Sequence, residues 1–297
     1  MHSAQQLLRK FTSLKTLPHV AIRLSTLLSE EKTHIQEFEE VIKLDPVLVT
    51  RILRVANSAF FGLREKVSSI SRALVFLGTK NLRNMVATEA IKDILNCKSD
   101  GDAFSRKNLW LHCAAVSILA QMISERVFER RGEDAYLCGI LHDIGLIIED
   151  QTAPELFASA CKALACKALA CKSLPAASEP LTEIEKEIIG TDHCAVGFLL
   201  SEDWKLNEDV KKGIRDHHLI SEEIQPNSMT GLIQLAEFFA CKLNYPALPT
   251  MKGSLSRSLV RYVKENSEEF KVLLREIPGQ MAAAKELYDD NGTHVNE

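Results

Sequence analysis

The chain has 297 residues, enough for one large domain or two ordinary ones, and its 46% hydrophobic content can build a sizeable core. Lys plus Arg number 36 against 40 for Asp plus Glu, and the resulting net charge of -4 gives no support to a general binder of phosphate backbones, which shows a basic excess. No apolar stretch approaches the length of a membrane span, and the start, Met1 to Gln6, lacks the basic segment and apolar run of a secretory signal, so the expected location is the cytoplasm.

Strand patterns are nearly absent and helical spacing recurs. Ile22, Leu24, Leu27 and Leu28 suit a short helix, and Phe38, Val41, Ile42 and Leu44 the next, which stops near Asp45-Pro46. Pro46 opens another that carries Val49, Ile52, Leu53 and Ala56. Ser69 or Ser71 can cap a helix through Ala73, Leu74 and Leu77 to Gly78, and residues 81–95 continue the pattern. The polar run Ser99-Asp100-Gly101-Asp102 marks a boundary. A long helix is expected from about Leu109 to Phe128 and another from Asp134 to His142. Beyond Pro180, helices continue through Trp204, His218 and Tyr245, and an amphipathic helical tail runs to about Tyr288. The expected division is an N-terminal helical subdomain over 1–98, a second over 103–245 and a C-terminal extension over 246–297.

Residues 160–174 repeat Ala-Cys-Lys-Ala-Leu, with Ser in the last copy. A step of five advances roughly 140° around a helix, so Cys161, Cys166 and Cys171 spiral apart. That geometry does not suit tetrahedral thiolate ligation and favours a tandem expansion that lengthens a helix. The eight cysteines form no C-x-x-C pair and no disulfide-framework spacing, which fits reduced thiols.

Metal-type ligands recur in apolar helical settings: His112, His142 with Asp143, His193, His217 with His218, and Glu237. Val210, Ile214 and His217 follow i, i+4, i+7, so His217 points where the core points; Ile233, Glu237 and Ala240 share a face in the same way. A carboxylate on such a face is costly unless paired, protonated or metal-bound. Adjacent His142 and Asp143 splay by about 100°, so that His142 can bind one ion while Asp143 bridges to a second. A mixed imidazole and carboxylate set suits Fe, Mn, Zn or Ni better than Mg, with Fe or Mn favoured. Each residue alone also has a plain structural explanation. His112 can be a hydrogen-bonded core histidine, Glu237 a partner for a buried Lys or Arg, and His217-His218 a helix C-terminus facing its dipole. His19, His34 and His294 lie outside the cluster and carry no assigned role.

The order His112, then His142-Asp143, then a late acid resembles the HD superfamily of metal-dependent phosphohydrolases. Glu237 falls where that superfamily has a late Asp, and His193 and His217-His218 fall where its longer, two-metal HD-GYP phosphodiesterases carry extra histidines. The N-terminal half narrows the likeness. Leu17-Pro18, Asp45-Pro46-Val47-Leu48, the run Arg54 to Gly62, the run Ile70 to Gly78, Leu137 to Gly145 and Gly190 to Trp204 look like the HDOD family. The resemblance covers roughly residues 11–245 and implies an all-α helical bundle of HD/HDOD type. Two departures stand out: Leu146 replaces the Lys that follows His-Asp-Ile-Gly in HD-GYP enzymes, and Gly-Tyr-Pro occurs nowhere. Both lower the expectation of cyclic di-GMP hydrolysis.

Three functions follow from that resemblance. The first is a regulatory module of a bacterial response pathway, acting on a signalling protein partner and carrying one or two divalent metal ions. The second is a metal-dependent phosphohydrolase of a phosphorylated small molecule, in which His112, His142, Asp143 and Glu237 hold one metal and His193, His217 and His218 a second. Arg215, or Lys211, then contacts phosphate. The third is a metal-free protein-interaction scaffold whose histidines are structural. The first is preferred by a modest margin, and whether the chain is an enzyme stays open.

Overall fold

The structure, a computed structural model, describes residues 2–14, 104–170, 181–249 and 251–289, with scattered positions between 37 and 78. Every regular element among the described residues is a helix. By contacts the chain forms two units: Met1–Lys15 with Ile94–Met281, and Thr16–Asp93 with Ala282–Glu297. This grouping joins the first fifteen residues to the unit that begins at Ile94, whereas the segments read along the sequence are contiguous. Most of the helices expected before residue 99, and the polar break at 99–102, lie outside the described residues. Of the Ser69 helix, Ser69 Oγ accepts from Arg72 N at 3.3 Å, and Ala73 and Leu74 are buried.

The first unit opens with α1 (Ala4–Leu14), a helix absent from the sequence reading. Ser3 Oγ accepts from Gln6 N at 3.3 Å while Gln6 Oε1 accepts from Ser3 N at 2.9 Å, a reciprocal capping box. Ala4, Leu7, Leu8 and Phe11 are buried at helical spacing.

The site rests on eight further helices: α2 (Arg106–Arg126), α3 (Glu133–Leu141), α4 (Ile144–Thr152), α5 (Pro154–Ala170), α6 (Leu181–Ile188), α7 (His193–Asp203), α8 (Glu208–Asp216) and α9 (Met229–Lys242). Side-chain caps fix half of their starts. Ser105, Asp192, Asn207 and Ser228 accept from the backbone N–H three residues on. The Ser105 cap explains why α2 begins about a turn before the expected Leu109. α2 packs against α3 and α9, α7 against α4 and α8, α8 against α3 and α9, and α1 against α4 and α7. The core between them includes Leu109, Leu119, Ile123, Ile147, Val210, Ile214 and Ile233. Arg106 and Asp150 form a largely buried ion pair that ties the start of α2 to α4.

The expected helical tail is interrupted. Residues 245–249 and 251–256 are not helical, two prolines (Pro246 and Pro249) lie in this stretch, and helix resumes as α10 (Arg257–Glu265) and α11 (Ser267–Asp289). On α5, Cys161 is buried and Cys166 exposed, as a five-residue step dictates; Cys171 lies outside the described residues.

Candidate metal centre

His112 sits about two turns into α2, His142 caps the end of α3, and Asp143 precedes α4. His193 is the first residue of α7, and His217 caps the end of α8. His142-Asp143 therefore occupies the corner between two helices. The corner directs the two side chains into one space, which a continuous helix would not do. Two glycines let the backbones close around it. A Cβ on Gly139 would lie 2.6 Å from the Ser117 Cα of α2, and one on Gly145 would lie 2.0 Å from the His193 carbonyl oxygen. No side chain fits at either contact, so α3 meets α2 and α4 meets the start of α7 at backbone distance.

The result is a sheltered cluster. His112, His142, Asp143, His193 and His217 are each no more than 1% exposed. The Nδ1 atoms of His112, His142 and His217 lie 2.7, 2.8 and 2.8 Å from the carbonyl oxygens of Tyr245, Gly139 and Ile214. A carbonyl only accepts, so these Nδ1 atoms donate, and in the neutral ring Nε2 keeps its lone pair. His193 Nδ1 lies 2.6 Å from Glu185 Oε2, which also accepts from the His193 backbone N–H at 3.1 Å. All four Nε2 atoms face Asp143. Oδ2 lies 3.5 Å from His112 and 3.3 Å from His142, whereas Oδ1 lies 3.6 Å from His193 and 3.4 Å from His217.

These residues fit divalent metal. Neither Asp143 oxygen has a hydrogen-bond partner although both are fully buried. The His112 and His142 Nε2 atoms stand 3.2 Å apart with their protons committed at Nδ1, so two lone pairs oppose each other. A tetrahedral ion with ordinary bonds to nitrogen and oxygen separates its ligand atoms by about 3.3 Å, close to the spacings seen here. The carboxylate presents one oxygen to each histidine pair, the arrangement of a ligand bridging two ions. Donation from each Nδ1 to a carbonyl or carboxylate is the outer-shell partnering that orients metal-binding histidines.

Electrostatics divides the cluster. Burial holds the His112 imidazole down at about 4, against the opposing pull of Asp143. Burial pushes the Asp143 carboxyl up, but the imidazoles of His142, His217 and His112 outweigh it and leave it well below the usual carboxylate range. On the other side burial lowers His193 and His217, yet both end well above the usual histidine value. Cys194 and Glu185 raise the first, and Cys194 and Asp143 the second.

The remaining sequence candidates are placed differently. His218 follows His217, its ring 5.1 Å from that of His193, and its buried Nε2 has no hydrogen-bond partner. Glu237 is buried on α9 and approaches the cluster through His218 Nδ1 at 3.9 Å; burial raises its carboxyl. The Arg215 side chain is about half exposed, with Nε and an Nη donating to Asp216 at 2.8 Å each. Lys211 pairs with Glu208. Three neighbours escape the sequence reading: Cys194, whose Sγ lies 3.6 Å from His193 Nε2; Glu185, which anchors His193; and the fully buried Glu149, whose carboxyl is pushed well up by burial and by the nearby Glu185. Cys194 was legible as a donor type beside His193, but its neighbours in space were not.

Residues 14–220 match the HDOD domain family. An HDOD domain protein of unknown function from Geobacter sulfurreducens superposes with a TM-score of 0.69 at 25% identity, over 95% of this chain and 97% of that one. A candidate phosphohydrolase of Shewanella amazonensis SB2B gives 0.70 at 25% identity over 95% and 97%. A candidate signal transduction protein of Marinobacter aquaeolei VT8 shares the fold, with a TM-score of 0.76 at 20% identity over 94% of this chain and 61% of that one. An uncharacterized protein of Treponema pallidum is 22% identical over 88% of this chain. The chain spans about half the length of that curated relative (48%).

Proposed function

Because the chain belongs to the HDOD domain family, we propose that it is a regulatory, signal-transducing module of a bacterial cytoplasm that carries divalent metal at the His/Asp cluster and acts on a protein partner. The observation that carries the reading is Asp143, a buried carboxylate with both oxygens unpartnered and two inward-facing histidines at each. His112, His142 and Asp143 Oδ2 would hold one ion; His193, His217 and Asp143 Oδ1 would face a second, with Fe or Mn favoured and Zn or Ni as alternatives. Nine of the described helices carry these ligands or pack directly on those that do, so occupancy biases helix packing, which is what a switch requires. Leu146, fully buried, stands where a phosphate-binding lysine would be needed for cyclic-dinucleotide hydrolysis.

The bridging geometry of Asp143 favours one second reading, a phosphohydrolase of a phosphorylated small molecule. Metal at paired sites supplies activation of a water and charge neutralisation at phosphoryl oxygens. In that reading Asp143 spaces the two sites, and the Nδ1 anchors hold the rings still. Metal analysis of protein purified without oxygen, beside a His142→Ala, Asp143→Ala variant, tests the shared premise. About two equivalents in the wild type, lost in the variant, support it; under a tenth of an equivalent, not restored by added metal, leaves the metal-free scaffold. Turnover in a phosphoester panel with Mn or Fe then separates hydrolase from regulator.

A further inference from the structure

Cys194 follows His193 on the first turn of α7 and is buried at 6% exposure. Its Sγ lies 3.6 Å from His193 Nε2 and 3.9 Å from His217 Nε2. A tetrahedral zinc-class ion bonded to imidazole nitrogen and thiolate sulfur sets those two atoms about 3.6 Å apart. His218 brings a fourth donor to the same place: the ligand atoms of His193, Cys194, His217 and His218 all lie within 4.8 Å of one another.

A thiol hydrogen bond to His193 would account for the sulfur alone. It would leave two other buried polar atoms unsatisfied beside it, Asp143 Oδ1 and His218 Nε2, neither of which has a hydrogen-bond partner. A cation among them satisfies the whole set. We infer that Cys194 is a metal ligand, and that with His193, His217 and His218 it forms a nitrogen–sulfur pocket selective for a zinc-class ion. The inference rests on the metal-centre reading above and deepens it.

The two halves of the cluster thereby differ in kind. His112, His142 and Asp143 Oδ2 supply two nitrogens and one oxygen, a three-donor set that leaves room for a further ligand. The Cys194 pocket offers four side-chain donors, His193, Cys194, His217 and His218, with Asp143 Oδ1 facing the same space, so the chain fills the coordination as it does in structural zinc sites. A soft thiolate disfavours Mn and Mg and favours Zn or Fe. Binding releases the thiol proton to solvent, and the sulfur–metal bond replaces the S–H bond with no change of oxidation state.

Cobalt(II) titration of the chelator-stripped full chain, without oxygen, tests this directly. The wild type is expected to show visible ligand-field bands together with a near-ultraviolet thiolate-to-cobalt charge-transfer band. Cys194→Ser keeps the visible bands, loses the charge-transfer band, and binds zinc at least about tenfold more weakly. Cys113→Ser, which alters another buried thiol close to Asp143, keeps both features. Circular dichroism establishes that each variant is folded. Visible bands without charge transfer in the wild type, or charge transfer that survives Cys194→Ser, overturn the Cys194 assignment and leave the metal centre standing. Absence of any cobalt spectrum in folded protein overturns both.

Discussion

At the scale of single residues, the cluster is organised by what lies behind each imidazole. Glu185 holds His193 through both the ring and the backbone N–H. Glu185→Gln keeps the volume but removes the charge that orients and enriches the ring. Metal affinity is expected to fall about 10- to 100-fold with the helical content unchanged, read by competition against a chromophoric chelator; an affinity equal to wild type would detach Glu185 from the site. The opposed protonation of the two halves also has a sign. In the metal-free protein His193 and His217 sit well above the usual histidine value, so metal must displace their protons even near neutral pH. His112, at about 4, is already neutral there. As pH falls from 8 towards 5, the ion beside His193 and His217 is therefore expected to leave first, with the ion beside His112 and His142 retained longer. Metal analysis after dialysis at each pH would show two steps in that order; simultaneous loss would contradict it.

At the scale of elements, the site sets the ends of α3, α4, α7 and α8 against His112 in the interior of α2, brought together by close backbone contacts. Gly145 is the tightest of these. An added Cβ meets the His193 carbonyl group, which is backbone and cannot swing aside. Gly145→Ala must separate α4 from α7, with a cost of about 1–3 kcal/mol or more in urea unfolding and a wider gap between Asp143 and His193. The metal pocket on the His193 side should suffer more than that on the His112 side. Ser105→Ala gives the contrast: it removes the α2 cap, costs about 1 kcal/mol, and leaves metal content unchanged, since Ser105 lies almost two turns from His112. Helical periodicity made most of these elements readable within a turn. α1 escaped that reading because Ser3 and Gln6 cap it from positions that look like an ordinary polar terminus. The tail looks continuous in sequence because its amphipathic pattern resumes after Ser256, while the stretch containing Pro246 and Pro249 breaks the helix between.

For the whole molecule, α2, α3, α4, α7 and α8 each contribute ligands and pack on one another, so metal binding and the stability of this unit are one equilibrium. An ion at a hundred times its dissociation constant adds about 2.7 kcal/mol. For a unit of this size that is a rise of roughly 5–10 °C in Tm. The wild type should show the shift in a thermal melt with added Zn or Mn, and the His142→Ala, Asp143→Ala variant should not. A wild type indifferent to every divalent ion would point to the scaffold function instead.

Helical spacing, the HDOD likeness and the ordered series His112, His142-Asp143, His193, His217-His218 were all present in the sequence. These are local patterns, set by side-chain period and residue type. The tertiary structure decided what depends on distance between remote residues. It divided the two Asp143 oxygens between two histidine pairs and brought Cys194 within ligand distance of His217. It placed Glu185 behind His193 and turned Arg215 outward onto Asp216. A sequence records which donors a chain owns. Only the packing of helix ends against one another fixes which donors share a few ångströms of space, because that spacing is set by backbone approach at positions such as Gly139 and Gly145 and not by the donors themselves.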